Sequence, residues 1–572
     1  MTDPLTVVPV ALDPRARRAA LARMAEARLD VLVIGGGVTG AGIALDAATR
    51  GLAVGLVEQR DLASGTSSRS SKLLHGGLRY LEQLDLGLVR EALRERDLHL
   101  TRLSPHLARP VSFLFPLTHH GWERAYVGAG IALYDTLGGA RNLPRHQHLS
   151  RRGALELAPA LRRDALTGAI RYYDASVDDA RHTMEIARTA AAHGAHLATS
   201  TRVVDLVREE GRIVGARVLD LESGQEHTLR ARQVVNATGV WTDDIQAFVG
   251  RGRISVRASK GVHLVVPRDR IASRTGIILR TASSVLFVIP WFRHWIIGTT
   301  DTDWELDLAH PAASASDIRY LLDHVNRVLR VPLTHDDVQG VYAGLRPLLH
   351  GESDATSELT REHAVATSAA GMISVAGGKY TTYRVMAEDA VDAVVRALGI
   401  AAPPSRTAEV PLLGARGLED VRAHAEELAL EHELGTSVVE RLLGRYGSLT
   451  TEVLAAIAER PELGREVPGT GGHIAAEFHY AASHEGALHL EDALARRTHV
   501  SIETFDRGLT AAGSVARLLG ETLGWDDEAM ARELAHYRAR VEAERESQRM
   551  PDDRTADSAR LGAPDVRLAP TG

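Results

Sequence analysis

Along the chain, polar and apolar positions first alternate with a helical period. Residues 16 to 28 predict a short amphipathic helix that leads into Leu29-Asp30-Val31-Leu32-Val33-Ile34. That second run has too few polar breaks to face water on either side, which predicts a strand of a parallel sheet covered on both faces. An alanine-rich helix over Ala41 to Arg50 and a second strand, Val54-Gly55-Leu56-Val57, ending at Glu58, complete a βαβ unit. Residues 85 to 190 mix amphipathic helices with loops marked by Ser104-Pro105 and Arg109-Pro110. Two later segments return to the parallel sheet. They are Ala195 to Val207 with Gln233-Val234-Val235-Asn236, and Met372 to Val375. Between them, 255 to 365 alternates β-rich runs such as Val262 to Val266, Val285 to Ile289 and Trp295 to Gly298 with turn signals, which predicts an antiparallel sheet. After Pro403-Pro404 the pattern is helical to about 545, and the polar, Pro/Gly-punctuated remainder reads as disordered.

The turn between the first strand and helix carries the first chemistry. Gly35, Gly37 and Gly40 match GxGxxG, directly after a strand and opening a helix. The first glycine allows the tight turn, the second lets a pyrophosphate reach the backbone, and the third lets helix and strand close together. Glu58 stands at the end of the second strand, where an acid accepts hydrogen bonds from ribose hydroxyls. The fingerprint alone does not separate NAD from FAD. The polar, glycine-rich run Asp61 to Gly77 does, because only a longer dinucleotide needs wrapping along its ribityl and phosphate portion; a flexible linker is the plain alternative. Ala237-Thr238-Gly239 and Gly377-Gly378-Lys379 add two more turns at strand ends. A helix starting at the latter would set its positive end against the pyrimidine edge of a flavin.

The predicted fold class is α/β. A Rossmann-type FAD-binding domain is built from 28–84, 191–250 and 366–400, interleaved with an α+β substrate domain (a cap region, 85–190, and an antiparallel sheet, 251–365). An all-helical domain over 408–545 and a disordered tail over 546–572 follow.

Composition narrows the partners. The 572 residues carry a net charge of -7, unsuited to a nucleic-acid binder. There is no cysteine, so disulfides, thiolate metal sites and a cysteinyl flavin link are excluded, and no histidine cluster suggests a metal. No run approaches the length of a bilayer span, and the first 30 residues lack a secretory core, so a cytoplasmic location is expected. Only Lys72, Lys260 and Lys379 interrupt an otherwise all-arginine set of 67 basic residues. Codon bias is the bland cause, yet each marks a place where a compact ammonium would suit better than a planar fork.

The chain resembles the FAD-dependent glycerol-3-phosphate dehydrogenase family. The resemblance rests on GGGVTGAGIALDAATRGL (35 to 52), SGTSSRSSKLLHGGLRYLEQ (64 to 83), IRYYDASVDDAR (170 to 181), NATGVWTD (236 to 243), SKGVHLVV (259 to 266), IIGTTDTD (296 to 303), YAGLRPLL (342 to 349) and AGGKYTTYR (376 to 384), in the family's order. It implies oxidation of glycerol 3-phosphate to dihydroxyacetone phosphate, with electrons passed to a membrane quinone. It also implies a peripheral position on the inner face of the cell membrane, where the stretch Val111 to Leu137 could dock; a packed helix pair is the alternative for that stretch. A homodimer is left open. Tyr380 departs from the apolar or small residue expected after the lysine.

A phosphate-bearing substrate wants arginine forks and a lysine. Candidates are Arg79, Arg346, Arg361 and Lys379, with Tyr80 and Thr382 as neutral partners. For the arginines, an interdomain ion pair is the competing reading. A base with a midpoint near neutrality points to histidine, and His263 is preferred to His75; for either, a structural histidine is the alternative. His263, Arg346 and Lys379 form the expected catalytic group. The expected cofactor contacts are Gly35, Gly37, Gly40, Glu58, Gln59, Thr66, Ser67, Ser71, Lys72, Leu74, His75, Gly76, Gly77, Val203, Ala237, Gly239, Gly378 and Lys379. Two other functions compete: a glycerol-3-phosphate oxidase that releases peroxide, and a non-catalytic flavin-binding regulator, which would have lost the phosphate-binding set.

Overall fold

The computed structural model describes residues 7–78, 81, 85–119, 121–138, 143–250, 254–281, 285–349, 363–563 and 565–568. Arg79, Tyr80 and Arg361 lie outside the described residues. Helix α1 (Pro14–Glu26) starts where its sequence says it should. Pro14 occupies the first turn, and the Asp13 carboxylate accepts from the Ala16 amide at 2.6 Å. Strand β1 (Arg28–Ile34) and helix α2 (Val38–Thr49) follow, then strand β2 (Val54–Val57).

β1 is central in an eight-stranded sheet among the described residues, in the order 363–369, 372–377, 226–236, β1, β2, 196–198. The last five of these run parallel. Apolar residues line both faces: Val31 and Val33 join the core under α2, while Leu32 and Ile34 join the core under α1. This is why the β1 run shows no polar alternation. Helix α2 lies between the helices Asp179–Ala192 and Tyr383–Leu398. Small residues permit that closeness, since a Cβ on Gly42 would come within 2.9 Å of the Tyr383 ring. The segment 195–207 divides: His196–Ala198 joins β2, and Thr201–Glu209 turns off into an antiparallel ribbon with Arg212–Asp220.

The second sheet has ten strands among the described residues, and the long strand Val256–Pro267 pairs with Gly340–Leu349 from Val256 to Val265. It draws on more of the chain than the pattern suggested. Arg109–Leu117 and Gly168–Ser176 lie in it as an antiparallel pair, joined through a parallel contact to Gly276–Arg280. Residues 109–117 are therefore a sheet strand, not a Pro-marked loop. Phe113, Leu114 and Phe115 are buried, so no membrane face starts at Val111; only the outer side of the following helix, Trp122–Leu137, is open.

Beyond residue 405 the chain is helical through Ser547. The tail corrects the sequence expectation of disorder. Asp552 caps a helix over Asp553–Arg560, and the buried Arg567 bonds Asp492 at 2.7 Å and the Ser200 hydroxyl at 2.7 Å. Asp553 reaches Lys260 at 2.5 Å. Polar, Pro/Gly-punctuated composition suggests disorder, whereas in the structure these charges pair with residues distant in sequence.

Candidate active site

The ends of the parallel strands form one wall of a cavity of about 430 Å³, and the second sheet forms the other. Ile34, Val57, Ala237 and Gly377 mark the strand ends, at the crevice where ligands of open α/β sheets bind. Gly35 has φ +109°, and a Cβ there would lie 2.7 Å from the Ala237 carbonyl. A Cβ on Gly40 would lie 1.9 Å from the Gly35 carbonyl, so the turn admits neither substitution. Gly37 caps α2, leaving the start of that helix facing the cavity with no acidic residue in its first turn. The Glu58 carboxylate accepts from the Gly36 amide at 2.6 Å and the Arg60 amide at 2.7 Å, while burial raises its pKa. This cradle fits a dinucleotide pyrophosphate and ribose.

The run 61–77 is fastened along its length, which removes the linker reading. Thr66 donates to the Leu345 carbonyl at 2.6 Å, Ser70 donates to Asp179 at 2.7 Å, and the His75 amide donates to the Thr381 hydroxyl at 3.2 Å. Lys72 is fully buried with its ammonium 2.5 Å from Asp179, so it braces the loop from behind. Gly37, Gln59, Thr66, Ser67, Ser71, His75, Val203, Gly239, Gly378 and Lys379 all line the cavity with Gly35, Glu58 and Ala237. Gly40, Lys72, Leu74, Gly76, Gly77 and Thr382 do not. Leu74 pairs with Ala175 in the second sheet, Gly76 accepts no side chain because Leu93 and Tyr134 would meet its Cβ at 2.8 Å, and Thr382 precedes the helix Tyr383–Leu398.

At the second-sheet wall His263 and Arg346 come together on neighbouring strands. His263 Nε2 is 2.9 Å from the Ser71 hydroxyl, and its ring stacks on Tyr342 with centroids 4.7 Å apart and 11° between planes. A Cβ on Gly298 would reach within 2.4 Å of the ring, so glycine is required there. Burial, then the charges of Arg346 and Lys72, hold the His263 pKa well below the ordinary histidine value, so its midpoint is not near neutrality as the sequence suggested; the imidazole is neutral and able to accept a proton, but less basic than a free histidine. Arg346 is aimed by Thr299, Thr300 and Asp301: Nη2 donates to the Thr299 hydroxyl at 3.0 Å, and Nη1 pairs with Asp301 at 3.2 Å. His75 packs edge-on against Phe287.

Sequence reasoning missed several members. Trp241, within NATGVWTD, lies on the wall with Arg60 5.7 Å over its ring, a role that the motif by itself does not show. Tyr342 and Thr299 to Asp301 also lay in noted motifs, and their roles follow only from strand register. Tyr380, the departure, lines the cavity and is anchored from behind: its hydroxyl donates to the Asp179 carbonyl at 2.8 Å and lies 3.0 Å from His182 Nδ1.

Residues 30–384 match the family model described as FAD dependent oxidoreductase, and 405–530 match the C-terminal domain of alpha-glycerophosphate oxidase. The chain is 59% identical over 558 residues to a glycerol-3-phosphate dehydrogenase of Mycobacterium leprae, spanning 97% of this chain and 95% of that protein. It is 37% identical over 547 residues to the mitochondrial glycerol-3-phosphate dehydrogenase of Homo sapiens, spanning 91% of this chain and 74% of that one. The solved glycerol-3-phosphate dehydrogenase of Bacillus halodurans, complexed with FAD, superposes with a TM-score of 0.77 at 32% identity, over 93% of this chain and 98% of that one. The cradle at Gly35 to Glu58, the fastened loop and these matches have one reading: the cofactor is FAD, and the chain belongs to the FAD-dependent glycerol-3-phosphate dehydrogenase family.

Proposed function

We propose that this protein oxidises sn-glycerol 3-phosphate to dihydroxyacetone phosphate and passes the electrons to a membrane quinone. The observation that carries the reading is the placing of the buried His263 and the Arg346 guanidinium on the second-sheet wall of one cavity, with Lys379 on the facing wall at the end of a parallel strand. Arg346 and Lys379 bind the phosphate oxygens through charge-assisted hydrogen bonds and set the register of the carbon chain. His263 takes the hydroxyl proton of the substrate's secondary alcohol, and the Ser71 hydroxyl and the Tyr342 ring hold the imidazole in place. FAD, when bound, supplies the acceptor for the hydride that leaves the same carbon. The glycine turn 377–378, with φ +78° at both residues, starts the segment leading into the helix Tyr383–Leu398, whose positive end favours negative charge on that acceptor. Substrate specificity is supported by the names of the relatives above.

The acceptor reading is supported by one surface. Trp122, Tyr126 and Leu133 are 62%, 55% and 41% exposed along one face of the helix Trp122–Leu137, an arrangement suited to the headgroup layer of a bilayer. No helix among the described residues is long and apolar enough to cross a membrane. The match of the C-terminal domain to an oxidase family favours oxygen as a second reading. Anionic liposomes containing a quinone separate the two. Substrate-reduced protein should bind them and be reoxidised by the quinone at least about tenfold faster than by air-saturated buffer. Faster reoxidation by oxygen, with peroxide released, would replace the quinone with oxygen.

A further inference from the structure

A second cavity, of about 60 Å³, lies where the loop bearing Arg69 meets the second sheet and the C-terminal helices Asp527–Ser547 and Asp553–Arg560. The chemistry above makes no use of it. Its wall carries Arg69, Arg540 and Arg560 with the carboxylate of Glu544, and Glu491 stands behind Arg540, so three guanidiniums face two carboxylates. Arg540 is only 7% exposed. It pairs through Nε with Glu491 at 3.1 Å and through Nη2 with Glu544 at 3.0 Å, while its Nη1 has no hydrogen-bond partner among the described residues.

His310, also on the wall, supplies a second orphan donor. Arg560 Nη2 lies 3.3 Å from His310 Nδ1, and a guanidinium can only donate, so Nδ1 accepts and the ring proton sits on Nε2. That Nε2 likewise has no partner among the described residues. Folded interiors satisfy nearly all such groups, and two orphans on one cationic cavity point to a missing acceptor. Burial first, then the field of Arg540, pushes the Arg69 pKa down to about 10. The space has room for a group the size of a few water molecules.

We propose that this cavity binds a tetrahedral oxyanion, inorganic phosphate, held by Arg69, Arg540, Arg560 and the Nε2–H of His310. The anion supplies acceptors to both orphan donors and ties the two C-terminal helices to the loop bearing Arg69. Because Arg69 also lines the FAD cavity, the site links docking of the C-terminal segment to the flavin pocket.

Calorimetric titration of the FAD-loaded protein with inorganic phosphate tests this in an Arg346→Ala background, which disables the phosphate subsite proposed in the active-site cavity. Binding should persist there. It should weaken at least about tenfold when Arg560→Met is added, as expected for losing a charge-assisted bond. Gln548→Glu should do the same, because it puts a carboxylate on the cavity wall while keeping every arginine, and it keeps the test open should Arg560→Met not fold. Chloride at equal ionic strength should not compete. Absence of phosphate binding in the Arg346→Ala protein, or binding that neither cavity variant changes, overturns the proposal; neither result bears on the reading of the active site.

Discussion

Arg346→Ala is expected to lower kcat/KM for glycerol 3-phosphate by about 100- to 1000-fold while the protein keeps its FAD, the size of loss seen when one preorganised charged donor is removed from an active site. Thr299, Thr300 and Asp301 aim the guanidinium into the cavity, so its position is prepaid by the fold. A second signature separates this role from a structural one. In the wild type, burial and then the Arg346 charge depress the His263 pKa. Deleting the guanidinium removes one of the two positive charges named there, so the imidazole protonates at higher pH than before. A protonated imidazole cannot act as a base, and the acid limb of kcat/KM should therefore move up in pH. An Arg346→Ala protein with wild-type kcat/KM, or with depressed kcat/KM and an unmoved acid limb, would contradict the assignment.

Asp61→Ala is expected to be the most damaging single change outside the cavity. Asp61 is fully buried at the start of the flavin-wrapping run and is gripped by two C-terminal arginines: Arg497 donates to both its oxygens at 2.7 and 2.8 Å, and Arg496 Nε reaches it at 2.5 Å. Losing the carboxylate leaves Arg497 with only the Glu485 carbonyl and Arg496 with Asp492 and Glu491, so the interior keeps a positive charge that Asp61 had balanced, at a cost of up to about 3 to 5 kcal/mol. Heating monitored by flavin fluorescence should show FAD released at a clearly lower temperature than in the wild type. The exposed pair Arg152 and Glu156 provides the contrast, and Glu156→Ala should leave the release temperature unchanged. Equal release temperatures for Asp61→Ala and wild type would mean that the C-terminal domain does not hold the flavin loop. The same contacts give that domain a purpose: it clamps the loop that wraps the cofactor.

What the sequence made legible is what local rules govern. The βαβ turn could be read because its glycines keep a fixed short spacing between strand and helix, Gly35 at φ +109° and Gly40 against the Gly35 carbonyl, and β2 was placed to the residue. The three lysines proved informative in different ways. Lys379 lines the cavity, whereas Lys72 and Lys260 are buried structural ions, on Asp179 and on Asp317 with Asp553. No local pattern could have told them apart, because each partner lies 50 to several hundred residues away. The same distance hid the approach of Ser71 to His263 and the grip of Arg496 on Asp61. The tail was misread for a related reason: composition registers charge and not the partner that neutralises it. The strand Arg109–Leu117 was hidden by Pro110, whose place near the strand start is compatible with pairing.

The central claim is that this cavity takes a hydride from glycerol 3-phosphate, and anaerobic rapid mixing of the FAD-loaded protein with that compound tests it most directly. The account predicts that the flavin absorbance bleaches within the time of one turnover, and that glycerol, which lacks the phosphate that Arg346 and Lys379 bind, bleaches it at least about 100-fold more slowly. A flavin that stays yellow with glycerol 3-phosphate, or bleaches equally fast with glycerol, would contradict it.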